Sequence, residues 1–446
     1  MKIKKNLSLI VIIFMCLSVS ANSFGLRELL DMTVDLNPDI KIQDILLENS
    51  IMTRKIKSNE TGFPDISLSY SQTRDKYPGV SAKENGLFSL RLSKTFPGLF
   101  MTDKFKDSIA SLNLQKDKLK YQTIKNNLIF TSYDYYFRIV RKVNELEVHR
   151  TNVKLLEELL SISKINVEAG TGLKSDVLRV EAQKINNEIM FETTKNELKN
   201  IMLGLNAFLN NSYRDLYNAV VMFLETGGDL TKYGIDPAYK FKSQKFDIEN
   251  IVNNNLENLP DIKMYKKDID LMRDSMQIAK NAFYPDFNLN VSKTEVDHTD
   301  SPLTVKDNDY SISMVFTQKL YDQGTTGLKI KQAQNLLKTA DINYNYQKSI
   351  KEAVLRENIS SYEESVWRTE ASEKSFAHAR ENMRLVSERY KAGDAGVIEL
   401  IDAQILMTNN QLSSLKAYYD ERINLGNIYK NINSIDELWR LSDEKR

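Results

Sequence analysis

Between Leu99 and Ala169 the chain runs 71 residues with neither a glycine nor a proline, and between Leu328 and Ala392 it does so again for 65. As helices, at 1.5 Å per residue, each stretch would extend roughly 100 Å, whereas helices of globular proteins average about 11 or 12 residues. Apolar residues recur in them at helical spacing, as at Leu146, Val153, Leu156, Leu160 and Val167. Such a stripe points to helix-on-helix packing rather than to a cofactor site. Each rod ends at a glycine break and a helix follows at once: "VEAGTGLKSDVLRVEAQ" from Val167 to Gln183, and "YKAGDAGVIELIDAQ" from Tyr390 to Gln404. A glycine supplies the backbone geometry that a helix end needs, so Gly170, Gly172, Gly393 and Gly396 are read as tight turns at the tips of two helical hairpins.

The two hairpins belong to a duplication. "LNPDI" at Leu36–Ile40 returns as "LPDI" around Pro260, and "FPD" at Phe63–Asp65 returns as "YPD" at Tyr284–Asp286. Gly170 is matched by Gly393, and "EAQ" at Glu181–Gln183 by "DAQ" at Asp402–Gln404. The sequence therefore divides into a leader (1–21), a first repeat (22–205), an inter-repeat segment (206–246), a second repeat (247–429) and a C-terminal tail (430–446). The first repeat is expected to hold one helix from Leu26 to about Glu60, a strand pair (64–96), a long helix (99–169) and a returning helix (174–205). The second repeats that order with a first helix from Asp247 to about Ala282, a strand pair (285–320), a long helix (328–392) and a returning helix (397–429). The inter-repeat segment carries "GGDLTKYGIDP" and cannot continue the rods, so with the tail it is expected to form a belt around their middle.

Four segments alternate strictly, the mark of a strand. Ile66, Leu68 and Tyr70 face away from Ser67, Ser69 and Ser71, and Phe88, Leu90 and Leu92 from Ser89, Arg91 and Ser93. Phe287, Leu289 and Val291 oppose Asn288, Asn290 and Ser292. Tyr310, Ile312, Met314 and Phe316 oppose Ser311, Ser313 and Thr317, with Val315 the apolar exception. Apolar on one face and polar on the other over about ten residues is also what a transmembrane strand requires. An open sheet edge cannot lie in hydrocarbon, because each unpaired backbone group there costs several kcal/mol. Four strands are too few to close a barrel, since known single-chain barrels start at eight. Copies of the chain must share one, and both eight strands from two copies and twelve from three satisfy the arithmetic. The polar turns Arg74–Asn85 and Glu295–Asn308 would face outside the cell.

The first residues, "MKIKKNLSLIVIIFMCLSVSANS", have three lysines, a short apolar core and a small residue at Ala21, which reads as a signal peptide cut after Ala21. Cys16, the only cysteine, lies in that leader, so no disulfide is expected in the mature chain. The full chain has 61 basic and 60 acidic residues, a balance that gives neither a nucleic-acid footprint nor a membrane-attracting basic field. No glycine-rich phosphate loop, HExxH or nucleophile elbow is present. His149, His298 and His378 have no spacing that suggests metal ligands. No catalytic residue, cofactor or metal is expected, and transport energy would have to come from a partner.

The duplicated order, the "FPD" and "YPD" strand entries and the two glycine breaks resemble the TolC family of outer-membrane efflux and secretion channels over essentially the whole mature chain. The resemblance implies an α+β membrane protein: a homotrimeric 12-stranded transmembrane β-barrel, four strands per chain, continuous with a long periplasmic α-helical barrel. It implies a passive outer-membrane exit duct of a tripartite efflux or type I secretion system. A periplasmic adaptor and an inner-membrane transporter would dock at the closed inner end, and outer-membrane lipid would surround the barrel. The resemblance also implies two acidic side chains per chain as rings at that entrance, with Glu399 and Asp402 at the matching positions. A tyrosine on the second hairpin there links to an acidic side chain on the first, matched by Tyr390 and Asp176, with Ser175 where a threonine stands. The family's arginine two residues after the second tip glycine is absent, since Ala395 occupies that place. From their position alone, Glu399 and Asp402 are also explained as helix-start carboxylates that complement the dipole. The competing class is a periplasmic coiled-coil scaffold or adaptor without a pore, but the duplicated strand pairs favour the duct.

Overall fold

The structure, a computed structural model, describes residues 25–75, 78, 83–98, 101–210, 255–298 and 307–443. The leader, nearly all of the inter-repeat segment and parts of both polar turns lie outside the described residues. In chain order the elements are α1 (Leu26–Leu36), α2 (Pro38–Gly62), β1 (Asp65–Asp75), β2 (Lys83–Phe96), α3 (Met101–Glu168) and α4 (Lys174–Phe208). After a 3-10 turn at Leu256–Asn258 come α5 (Pro260–Asn281), β3 (Asp286–His298), β4 (Asp307–Thr317), α6 (Thr325–Ala392), α7 (Val397–Asn431) and α8 (Glu437–Asp443). No described helix is long and apolar enough to cross a membrane. α3 and α6 are each 68 residues long.

The first helix differs from expectation: the stretch from Leu26 is two helices, not one. Pro38 has no N–H to continue α1 and stands at the first position of α2, where none is needed. The Asn37 side-chain oxygen accepts from the backbone N–H of Asp39 (2.9 Å) and Ile40 (3.3 Å). Its amide donates to the carbonyl of Phe208 at the end of α4 (2.8 Å). The "NP" of "LNPDI" is thus a start signal and a tie between two helices.

The four strands form one antiparallel sheet in the order β1-β2-β3-β4. Within each hairpin the pairing follows the chain, but β2–β3 joins the two repeats, with Leu92 opposite Val291 and Phe96 opposite Phe287. Register places all four apolar sets on the same face. Ile66, Leu92, Val291 and Ile312 form one row across the sheet, and Leu68 and Leu90 are opposite one another in the next. This apolar face is uncovered, with Ile66 71%, Ile312 70% and Phe316 66% exposed. At one end Phe96, Phe287 and Phe316 stand in a row, with ring centroids 5.7 and 4.8 Å apart. From Phe96 to Phe88 the band spans about 26 Å along the strand at 3.3 Å per residue.

Contacts divide the chain into two compact units, each drawing on both repeats. One comprises Gln43–Gln122 and Pro260–Ile350 and holds the sheet. There Arg54 of α2 pairs with Asp107 of α3 (3.1 Å), and Lys116 and Ser108 of α3 bind Asp268 and Asp274 of α5. Lys94 falls on the apolar face by alternation, yet its ammonium reaches the end of α2. It donates to the carbonyls of Glu60 (3.2 Å), Thr61 (2.7 Å) and Phe63 (3.0 Å). The side chain's apolar stem covers the sheet while its charge satisfies the helix's last carbonyls. Gln318, after β4, donates likewise to the Phe283 carbonyl just past α5 (3.0 Å).

The other unit is helical and carries the main apolar core, where α1, α3, α4, α6, α7 and α8 contribute Leu29, Tyr133, Leu198, Tyr362, Leu425 and Leu438 among others. The tail helix α8 lies on α1, tied by the Trp439 indole N–H donating to Asp31 (2.8 Å). Tyr133 is fully buried, and its hydroxyl donates to the Arg422 carbonyl (2.9 Å). Its ring rests against Gly426 so closely that a Cβ there would lie 2.4 Å from Cε1. At the equivalent position of the first repeat, Gly204 faces the hydroxyl end of Tyr135, where a Cβ would sit 3.0 Å away. Gly426→Ala is therefore expected to lose about 1–3 kcal/mol to overpacking, and Gly204→Ala distinctly less, because Tyr135 is only half-buried. Thermal unfolding followed by circular dichroism checks this; equal melting shifts for the two variants would contradict it.

Candidate functional site

The helical unit ends in two tips closed by the same pair of backbone hydrogen bonds, to which the second adds side-chain contacts of Arg389. In the first, the Asn166 carbonyl accepts from the backbone N–H of Thr171 and of Gly172, both at 2.9 Å. Gly170 has φ +75, the left-handed region that L side chains avoid. Gly172 is needed for space instead, since a Cβ there would lie 3.0 Å from the Asn166 Cβ and 3.1 Å from its backbone carbon. In the second tip the Asp394 N–H donates to the Arg389 carbonyl (2.8 Å) and the Gly393 N–H to that of Tyr390 (3.1 Å). Gly393 has φ +82 with nothing within 4 Å of its missing Cβ, so conformation alone demands glycine there. Gly396 is the extended residue immediately before α7.

Beneath the tips a second apolar cluster joins the four helices of the two hairpins. Leu156 and Leu159 of α3, Val180 of α4, Val386 of α6, and Val397, Leu400 and Ile401 of α7 are buried together. Tyr390 packs partly buried against this cluster. Its hydroxyl oxygen is shielded from solvent and has no hydrogen-bond partner among the described residues. Burial pushes the phenol's pKa up, and the nearby Asp176 carboxylate adds to the rise. Tyr390 and Asp176 are thus neighbours across the two hairpins, but no hydrogen bond joins them in the single chain. Ser175 is exposed and bonded to neither.

Glu399 and Asp402 both stand exposed on the first turns of α7, three residues apart and so on adjoining positions of one helix face. They are not equivalent. Glu399 forms an ion pair with Arg389 of the last turn of α6, across the glycine turn. A second guanidinium nitrogen of Arg389 donates to the Asp394 carbonyl (3.0 Å). Asp402 takes part in no ion pair or side-chain hydrogen bond among the described residues. Sequence reading located both acids and noted Ala395 where an arginine was expected, but it missed Arg389. The available signal was an arginine directly before Tyr390 in the last turn of a helix, a position that reaches over a short turn.

The cations that line the cavity of the sheet unit are each engaged. A cavity between α2, β2 and α3 is lined by Arg54, Lys57, Lys94 and Lys106. Each is engaged, by Asp107, Glu60, backbone carbonyls and Asp103 respectively. His149 is buried, and burial lowers its pKa below the ordinary value, so it is a packing residue. No group of three or more His, Cys, Asp or Glu among the described residues could hold a metal ion.

Since Gly393 is required for its backbone conformation, Gly393→Ala should strain the second tip by about 1–2 kcal/mol, whereas Gly393→Asn should be better tolerated because asparagine adopts that region more readily. Trypsin cleavage after Lys391 is the readout. Gly393→Ala should be cut faster than wild type and Gly393→Asn should fall between; identical rates for all three would refute the argument.

Residues 251–434 match the family model described as outer membrane efflux protein. No curated protein matches the chain by sequence. Several solved structures share its fold. The CmeC outer membrane channel of Campylobacter jejuni is 15% identical with a TM-score of 0.77, covering 92% of this chain and 86% of that one. The MtrE outer membrane channel of Neisseria gonorrhoeae, in its open state, is 16% identical with a TM-score of 0.77 over 94% and 93%. The outer membrane protein VceC of Vibrio cholerae is 13% identical with a TM-score of 0.74 over 92% and 96%. The resemblance read from the sequence motifs is thus matched by the family model over the second repeat and by fold over more than nine-tenths of the chain.

Proposed function

We propose that this chain, whose second repeat matches the outer membrane efflux protein family and whose fold is that of outer-membrane channels, is the passive outer-membrane exit duct of a tripartite efflux or secretion system. The observation that carries the reading is the sheet. Its apolar face is exposed, its opposite face is polar, and β1 and β4 are each paired on one side within the chain. In water the apolar face would be a liability. In hydrocarbon it is required, and both outer strand edges then need partners. Three copies, each joining β4 to the next copy's β1, make twelve strands in a homotrimer, the arrangement the family resemblance implies.

The long hairpins would line the periplasmic continuation of that barrel, with the tips at its inner end, where a periplasmic adaptor and an inner-membrane transporter dock. The chain contributes no catalysis, so energy and cargo choice belong to the transporter. Small-molecule efflux and protein secretion are both served by such a duct. The tips form the gate in this reading. The buried Tyr390 hydroxyl lacks an acceptor, and a buried donor left unpaired costs about 1–3 kcal/mol. Asp176 is the nearby acceptor that a small shift of either hairpin would bring into reach, with Ser175 beside it, and that bond would hold the assembled tip shut.

Purified protein in planar bilayers tests the proposal. Wild type should form discrete low-conductance pores. Tyr390→Phe and Asp176→Ala should each conduct more, because each removes one partner of the closing bond. Absence of any pore would return the chain to the scaffold reading. Pores with unchanged conductance in both variants would remove the tyrosine link while leaving the duct.

A further inference from the structure

The first residues of β1 and β3, Asp65 and Asp286, end the FPD and YPD motifs and so occupy equivalent places in the two repeats. Asp65 is opposite Ser93 of β2 and Asp286 is opposite Thr317 of β4, which makes Ser93 and Thr317 equivalent. The next residue agrees. Lys94 donates to the Phe63 carbonyl and Gln318 to the Phe283 carbonyl, both at 3.0 Å, and these carbonyls just precede β1 and β3. Two residues further on, Phe96 is matched by Leu320. β2 runs on to Phe96, whereas β4 stops at Thr317. The difference lies in the partners. Pairing of β1 with β2 ends at Ser93, and Lys94, Thr95 and Phe96 are held as strand by Leu289, Asn288 and Phe287 of β3 alone. Gln318, Lys319 and Leu320 have no strand on either side, and the backbone N–H groups of Lys319, Leu320 and Tyr321 have no hydrogen-bond partner among the described residues. Leu320 is 95% and Tyr321 86% exposed, in a segment that directly continues an apolar strand face.

We propose that Gln318–Leu320 is an unfinished end of β4, which becomes strand when β1 of a second copy lies beside it in the register of the internal β2–β3 joint. The inference rests on the duct reading, in which β4 joins the next copy's β1, and it adds which residues meet there. Phe96 stands opposite Phe287, the residue after Asp286. By the same rule Leu320 stands opposite Ile66, the residue after Asp65, of the next copy. Four residues along each strand, Phe316 then stands opposite Tyr70 of that copy. All four side chains belong to the apolar face, as opposite residues of paired strands must share a face. Each is at least 65% exposed in the single chain, so each has surface to give up to a neighbour. On the polar face the register sets Lys319 opposite Ser67 and Thr317 opposite Ser69. A slip that put Phe316 opposite Ile66 would carry Gln318–Leu320 past the start of β1, where their backbone groups would still lack partners in hydrocarbon.

Cysteine pairs read the register in detergent-purified protein, with Cys16, the one native cysteine, replaced by serine. Opposite residues of antiparallel strands have Cβ atoms about 5 Å apart, and a disulfide needs about 4 Å. A slip of two residues adds about 7 Å along the strand. On mild oxidation Ile66→Cys/Leu320→Cys should therefore give disulfide-linked dimers and trimers in denaturing electrophoresis without reductant. The slipped pairs Leu68→Cys/Leu320→Cys and Ile66→Cys/Phe316→Cys should give roughly tenfold less of them. A slipped pair that links as well as the matched one, or no link from any pair in protein that still assembles, overturns the register. Amide hydrogen exchange of wild type is a second readout that needs no variant. In the assembled protein Gln318–Tyr321 should be as protected as Lys94–Phe96, and exchange at the rate of an open loop would overturn the strand extension. Both readouts are taken on protein whose native mass contains three chains. Wild type recovered only as single chains would end the duct reading and this inference with it, a result distinct from a trimer joined in another register.

Discussion

Every peptide group at the edge of a sheet carries a donor or an acceptor that must be satisfied, and in hydrocarbon no water is available to do it. This chain has four strands with an exposed apolar face and two outer strands, β1 and β4, each with a single partner. On β1 and β4, eleven residues each, the outward backbone groups of alternate residues have no strand partner among the described residues. The band of apolar side chains asks for lipid, and lipid in turn asks for closure by further copies. In the proposed duct the barrel is thus a property of the assembly, and the repeats supply the parts. The pairing of β2 with β3 lets both repeats contribute to one sheet, and Lys94 and Gln318 fasten the ends of α2 and α5 to it at matching places.

The tips obey the same rule of local satisfaction with different chemistry. Two residues, Gly170 and Gly393, take left-handed conformations, and the chain reverses around them. The carbonyls of Asn166 and Arg389 close the two tips in the same way, and the Arg389 side chain braces the second through Glu399 and the Asp394 carbonyl. An exposed ion pair of this kind contributes only about 0–1 kcal/mol, so it adds little to the stability of the turn. Tyr390 shows the reverse balance. Its ring is held by the apolar cluster, but its hydroxyl remains without a partner among the described residues. That is the place in the tip where the folded single chain is least satisfied.

Much of this was legible because the relevant signals are periodic or conformational. Alternation at Ile66–Leu68–Tyr70 and its three counterparts fixes which side chains share a face, and glycine breaks locate hairpin tips. Alternation does not reveal which strands are neighbours, so the joining of the repeats through β2 and β3 was not readable. The division at Asn37 was signalled by Pro38 but lost to the apolar period on both sides of it. Arg389 was hidden for a geometric reason. It lies ten residues from Glu399, a separation that has no meaning along one helix and becomes a contact only when a turn of that particular shape intervenes. Lys94 was similarly concealed, since a lysine on an apolar strand face looks like an error of pattern until the helix end beside it is known.

The central claim is that the sheet cannot be complete in one chain, and native mass spectrometry of detergent-purified protein tests it most directly. The account gives a single dominant species of three chains that survives mild activation and carries bound lipid. A stable monomer, recovered without detergent from the soluble fraction, would contradict it.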